Sequence, residues 1–146
     1  MRFEKMKDTN LKEAAVLFTK AFNTSPWNDH FTCERSEKRL SMMLDGKSAD
    51  GMVAFDEEDH MVGMLVGLYE CDDEHLVFMI REFCVDAEKK GQGIGTKLLN
   101  AMTDYLKKKD VEEMILLTLR TDETEGYYKH LGYKNVEKMV MMHKKI

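Results

Sequence analysis

The chain has 146 residues, enough for one domain with one substantial core. Its hydrophobic fraction of 43% is that of a globular protein, and a formal net charge of −5 argues against nucleic acid as a principal partner, because phosphate backbones require clustered basic surface. No apolar run approaches eighteen residues, so no membrane span is expected, and the charged start Met1-Arg2-Phe3-Glu4-Lys5 lacks the apolar centre of a secretion signal.

The three cysteines, Cys33, Cys71 and Cys84, are odd in number and widely spaced. They imply no disulfide framework and no metal-ligand set, and fit reduced thiols in a cytoplasmic protein. Cys84 falls in a strand pattern and reads as a small core residue rather than a nucleophile. The thirteen methionines are spread over apolar positions such as Met52, Met64, Met102 and Met114, which describes an adaptable core.

In chain order, Arg2 to Met6 reads as a short edge strand. Asp8-Thr9-Asn10 offers cap residues for a helix whose apolar stripe is Leu11, Ala14, Ala15, Phe18, Ala21 and Phe22, ending near Asn23. Thr24 to His30 is a loop holding the only proline and the only tryptophan. Thr32 caps a second helix that Gly46 stops. Met52–Phe55 and Met61–Tyr69 are strands joined by five residues, Asp56 to His60, a hairpin length. Gly63 and Gly67 weaken the second strand or mark a bulge. A long strand runs from His75 to Val85. The run Met114–Leu119 predicts a strand buried on both faces. A short helix follows from Asp122 or Thr124 to His130, Gly132 ends it, and Tyr133 to His143 is expected to form a last strand. The order is β-α-α-β-β-β-α-β-α-β, an α/β (α+β) mixed sheet with helices on both sides, in a single domain over residues 1–146.

The most informative stretch lies between the long strand and the next helix. Asp86 to Gly91 is charged, Gly91, Gly93 and Gly95 follow, and then Ile94, Leu98, Leu99, Met102, Tyr105 and Leu106 share one helical face. A glycine-rich turn at a helix N-terminus presents backbone N–H groups and the positive end of the helix dipole, a fitting cradle for phosphate. Lys89, Lys90 and Lys97 add charge. The spacing G-x-G-x-G is not the dinucleotide fingerprint, and no stretch matches a Walker A loop.

Lys90-Gly91-Gln92-Gly93-Ile94-Gly95 resembles the pyrophosphate-binding motif of the GNAT superfamily of N-acetyltransferases, [RQ]-x-x-G-x-[GA], with Lys90 in place of the usual Arg or Gln. Lysine keeps the charge and loses the planar fork. The element order matches the same family over nearly the whole chain. The resemblance implies a splayed central sheet, with acetyl-CoA as co-substrate and no metal. It implies that the pantetheine arm pairs with main chain at Phe83, Cys84 and Val85, and that Lys90, Gly91, Gln92, Gly93, Ile94, Gly95 and Thr96 hold the pyrophosphate. Tyr128-Lys129-His130-Leu131-Gly132-Tyr133 resembles the family pattern Y-x-x-x-G-[FY]. By that likeness Tyr128 protonates the departing thiolate, help typically worth ~10²–10⁴ in rate, and Tyr127 serves packing. Glu82 matches an acidic position of several branches and is the candidate general base, with a water chain as the alternative. Other branches place the base where this chain has Arg81 and Met79.

The acceptor is expected to meet Trp27, Asp29 and His30, the second helix and the hairpin before the long strand. Acids at Asp29, Asp72, Asp73 and Glu74 would draw a cationic amine, or form an ordinary solvated loop. The expected activity is acetyl transfer to a primary amine of a small molecule or peptide by direct attack. The alternative is a GNAT-fold module that binds acyl-CoA without turnover. Expected partners are the amine and a second copy as a homodimer, with neither nucleic acid nor membrane.

Overall fold

The computed structural model describes residues 1–146. Strand β1 spans Arg2–Lys5, helix α1 Leu11–Phe22, α2 Cys33–Leu44, β2 Ala49–Phe55, β3 Met61–Cys71, β4 Leu76–Val85, α3 Ile94–Lys107, β5 Val111–Leu116 and α4 Glu125–His130. The five strands lie side by side in sequence order. The first four pair antiparallel, and β5 joins β4 in parallel after the α3 crossover, so the sheet is mixed. No helix is long and apolar enough to cross a membrane.

Side-chain alternation along the strands builds a core on each face. Val53, Phe55, Met64, Val66 and Cys84 pack under α1 and α2 with Phe18 and Leu40. Met52, Ala54, Leu65, Phe78 and Ile80 pack under α3 with Ile94, Leu98 and Met102. Leu65 is fully buried at the centre, where truncation to alanine typically costs about 2–5 kcal/mol. Thr32 caps α2 through Oγ1, which accepts from the Arg35 amide at 3.1 Å.

A bulge in β4 shapes the site. Val66 faces Glu82 while Gly67 faces Ile80, so Arg81 is the extra residue. A Cβ on Gly67 would stand 2.4 Å from Met79 O, which explains the glycine. The extra residue shifts the alternation. Ile80 packs beneath α3, whereas Cys84 packs on the α1/α2 side with Glu82 one pleat before it. The parallel ladder to β5 also stops here, at Ile80 opposite Leu116. Beyond that point β4 and the chain after β5 separate, giving the splay that the family likeness implies.

Two expectations change. The apolar run expected as strand Met114–Leu119 pairs over Val111–Leu116 instead, and Leu117 is 68% exposed, because the diverging β4 leaves residues 117–119 without a ladder partner. The expected last strand Tyr133–His143 is not formed. Its only main-chain bond beyond Tyr133 is a turn, Met139 N to Val136 O at 3.1 Å, and Val136 and Met139–Met142 are exposed. The outer edge of β5 therefore carries no ladder, and the observed order stops at α4.

Candidate functional site

The splay opens a cavity of about 560 Å³ between the ends of β4 and α1, the glycine loop and α4. Its chemistry begins with backbone. Gly91 and Gly93 adopt positive φ, +79° and +73°, and a Cβ on either would meet no atom within 4 Å. Both therefore use a conformation that glycine tolerates best, facing open space. From Lys90 through Thr96 no backbone N–H finds an acceptor in the chain, and the first bond of α3 is Lys97 N to Gly93 O at 3.1 Å. A run of free donors at the positive end of a fourteen-residue helix is an anion cradle. The expected pyrophosphate residues are thus brought together, with Lys90, Gly91, Gly93, Ile94, Gly95 and Thr96 lining the cavity and Gln92 exposed at its rim.

The side chains around the loop fix it. Lys90 Nζ donates to Ser25 O at 3.0 Å, tying the loop to the turn after α1. Lys89 pairs with Asp56, whose other oxygen accepts from the amides of Glu58 and His60 at 3.0 and 2.9 Å. The Lys89 ammonium and these amides hold the Asp56 carboxyl down to about 2. The hairpin between β2 and β3 thereby anchors the loop.

The β4 edge supplies the second element. Asp86 N donates to Val62 O at 3.0 Å. Antiparallel alternation then points the main chain of Cys84 at Met64, and that of Phe83 and Val85 into the splay. Phe83 and Val85 are thus the free main chain, while Cys84 lends the cavity its side chain. Burial pushes the Cys84 thiol far up, which removes it as a nucleophile.

Both tyrosines of α4 line the cavity. Tyr128 is packed between Phe83 and Tyr133, and burial raises its phenol well above the ordinary 10.0, so it stays protonated across the working pH range. Tyr127 is not merely packing: its hydroxyl lies 3.4 Å from Thr96 Oγ1, at the first turn of α3. The spacing to Gly132 marks Tyr128 in the sequence, and nothing there shows that Tyr127 also reaches the glycine loop. Thr118 and Thr124 also line the cavity. Thr124 is buried and its hydroxyl donates to Leu119 O, holding the turn into α4.

Glu82 lies elsewhere. It is 4% exposed, points to α2, and its Oε1 meets Arg39 Nε at 2.7 Å and Nη2 at 2.6 Å. Burial raises its pKa, and Arg39 opposes that rise without cancelling it. It does not line the cavity. Arg39, on a mostly polar helix, gave no signal of this role. Trp27 does reach the cavity, its ring tilted against Phe22 with centroids 5.4 Å apart, whereas Asp29 and His30 do not line it. Asp72, Asp73 and Glu74 occupy the β3–β4 turn, the opposite end of a ten-residue strand, roughly 30 Å away. They cannot steer an amine to this cavity. No cluster of His, Cys, Asp or Glu side chains is arranged to hold a metal ion.

Solved structures share this architecture. A probable acetyltransferase superposes with TM-score 0.82 at 21% identity, over 100% of this chain and 98% of its own. A ribosomal-protein-alanine N-acetyltransferase from Brucella melitensis biovar Abortus 2308 gives 0.79 at 12%, covering 99% and 100%. An aminoglycoside acetyltransferase from an uncultured soil metagenomic sample gives 0.74 at 19%, covering 99% and 95%. At such identities the likeness is one of fold. No curated protein sequence matches the chain. The model of the acetyltransferase (GNAT) domain matches residues 9–144, nearly the full length, and the chain belongs to that family.

Proposed function

We propose that this protein transfers the acetyl group of acetyl-CoA to a primary amine by direct attack. The observation that carries the reading is the run of free amides from Lys90 to Thr96, set beside an unpaired β4 edge and the Tyr128 phenol. Acetyl-CoA supplies the activated acyl group. The amides from Lys90 to Thr96 bind its pyrophosphate. Phe83 and Val85 offer N–H and C=O to an amide-bearing arm, as a strand edge does to an added strand. The Tyr128 hydroxyl is the proton donor to the thiolate that leaves. Trp27 walls the cavity on the α1 side.

Glu82 is held by Arg39 and gives the acceptor no direct contact within the cavity. Amine deprotonation is therefore assigned to solvent, which makes the amine's own pKa the controlling quantity. The test is thiol release from acetyl-CoA across a panel of polyamines, aminoglycosides, lysine and short peptides. Amine-dependent release supports the reading. Acetyl-CoA binding with no release by any amine would leave an acyl-CoA-binding module.

A further inference from the structure

The loop of residues 24–30, between α1 and α2, is closed on itself at its base and tied at its tip by one side chain. At the base the Asn23 amide spans the loop: Nδ2 donates to Phe31 O and Oδ1 accepts from the Phe31 N–H, both at 2.8 Å. Inside it Trp27 N and Asn28 N donate to Thr24 O at 3.1 and 2.9 Å, and Asp29 N donates to Phe22 O at 2.9 Å. At the tip, the one hydrogen bond to a residue outside α1 and the loop itself comes from Lys90 Nζ to Ser25 O, at 3.0 Å. Pro26 and Trp27, which follow Ser25, are cavity wall. A single ammonium thus joins the glycine loop to the wall that faces it.

Lys90 differs from the lysine before it. Lys89 is paired with Asp56, whereas Lys90 pairs with no carboxylate and its one partner is a neutral carbonyl. An ammonium carries three donors, so two remain, and they stand at the first residue of the run of free amides. An anion held by those amides lies within the reach of an uncompensated charge.

We infer that Lys90 is a positioning residue with two ends: its ammonium holds a pyrophosphate oxygen of the bound acyl-CoA and Ser25 O together, so that the pyrophosphate sets the Trp27 wall of the cavity. The inference rests on the acetyl-transfer reading above, which supplies the acyl-CoA. Alone, the Ser25 contact is one exposed hydrogen bond at the end of a flexible four-carbon stem, and ordering that stem offsets most of its worth. A phosphate beside the ammonium changes the balance. The charge-assisted bond fixes Nζ, and the bond to Ser25 O then forms with the stem already ordered. The coupling is reciprocal, so a loop held in place returns the same factor to pyrophosphate affinity. The wall matters to the reaction because Trp27 and Phe22 share the cavity with Phe83 and Tyr128, and their position sets the width left for the acyl group and the amine.

Trp27 is the only tryptophan of the chain, so its fluorescence reports on this loop alone. The test follows acrylamide quenching of Trp27 in the full chain with saturating CoA, and with pantetheine, which carries no phosphate. In the parent, CoA is expected to lower the quenching constant and pantetheine to leave it unchanged. Lys90→Met keeps the length of the stem and removes the charge. It should bind CoA about 3–10-fold more weakly by isothermal titration and, once saturated, should keep the quenching constant of the unliganded chain. Lys90→Arg, whose fork can serve a carbonyl and a phosphate at once, should restore both readouts. A merely structural Lys90 would change quenching equally with and without CoA. A Lys90→Met chain that responds to saturating CoA as the parent does would overturn the inference. So would a parent whose quenching CoA leaves unchanged, or one in which pantetheine acts as CoA does. The comparison of CoA with pantetheine in the parent keeps the test independent of how the variants fold. The quenching needs CoA and no acceptor, so a failure of every amine to release thiol ends the acetyl-transfer reading without deciding the role of Lys90.

Discussion

The two ends of this sheet are built on opposite plans. At one end Asp50, with a side chain only 2% exposed, accepts from Tyr69 Oη at 2.9 Å, Tyr105 Oη at 2.8 Å and the Gly51 amide at 3.0 Å, with Lys5 Nζ at 3.4 Å. Burial alone would raise this carboxyl, but the phenols, the amide and Lys5 together hold it below its ordinary value. Here β4 and β5 are paired, and donors and acceptors are matched. At the other end the same two strands part, and the amides from Lys90 to Thr96 have no acceptor in the chain. The comparison teaches where stability and function are kept. The closed end joins β1, β2, β3 and the end of α3, while the open end keeps hydrogen-bonding capacity unused until a ligand arrives.

Breaking the open end should give the largest effect. Gly93→Glu puts a side chain and a negative charge into the anion cradle at a positive φ. The expected outcome is loss of the acetyl-CoA-induced rise in Tm, with a stability cost of only about 1–2 kcal/mol for the left-handed backbone. Differential scanning fluorimetry with and without acetyl-CoA checks both parts.

Breaking the closed end should do the reverse. Asp50→Ala leaves the Tyr69 and Tyr105 hydroxyls and the Gly51 amide without their acceptor, and a buried donor left unsatisfied typically costs about 1–3 kcal/mol. Urea denaturation should show it, with acetyl-CoA affinity unchanged at a temperature where the variant is folded. In the parent the folded-state pKa of Asp50 is depressed. Its stabilisation is therefore complete above the ordinary 3.8 and is lost as pH falls through the lower folded value.

Tyr128→Phe sharpens the contrast within the cavity. Removing the hydroxyl while keeping the ring should lower kcat by ~10–10³ and leave acetyl-CoA affinity nearly intact, because water partly substitutes and a thiolate leaves readily. Burial raises this phenol, so the parent pH–rate profile should show no descending limb below pH ~10. Tyr127→Phe should act differently, weakening acetyl-CoA binding modestly through the lost contact with Thr96.

The smallest effect is expected at the anchor of the loop. Asp56→Asn frees Lys89 and slackens the turn that precedes the glycines. Acetyl-CoA should bind a few-fold more weakly, about 2–5-fold by isothermal titration, as expected for one partly buried ion pair near the surface. Because Asp56 titrates at about 2 in the fold against 3.8 unfolded, its contribution in the parent should disappear between those pH values.

Much of this was legible in the residues. Gly91, Gly93 and the apolar face beginning at Ile94 named the loop and helix, because local backbone needs and helical periodicity are written locally. The place of Tyr128 in the cavity wall was legible through its spacing to Gly132 and Tyr133. The role of Glu82 was not, for a definite reason: the Arg81 bulge shifts the alternation of β4, and a shift of one residue turns a side chain to the other face. Arg39 became visible only once α2 was packed on β4. The apolar run to Leu119 and the segment Tyr133–His143 both read as strand, yet neither residues 117–119 nor that segment has a neighbour to pair with. Strand formation depends on partners far along the chain, which composition alone does not supply.

The most direct measurement of the central claim is an amide chemical-shift titration of the 15N-labelled chain with CoA. The account predicts the largest shifts at Gln92 to Thr96, further shifts at Phe83 and Val85, and almost none at Asp50, Gly51 and Tyr69. Saturable binding with the largest shifts at the closed end, or with the glycine-loop amides unmoved, would contradict it.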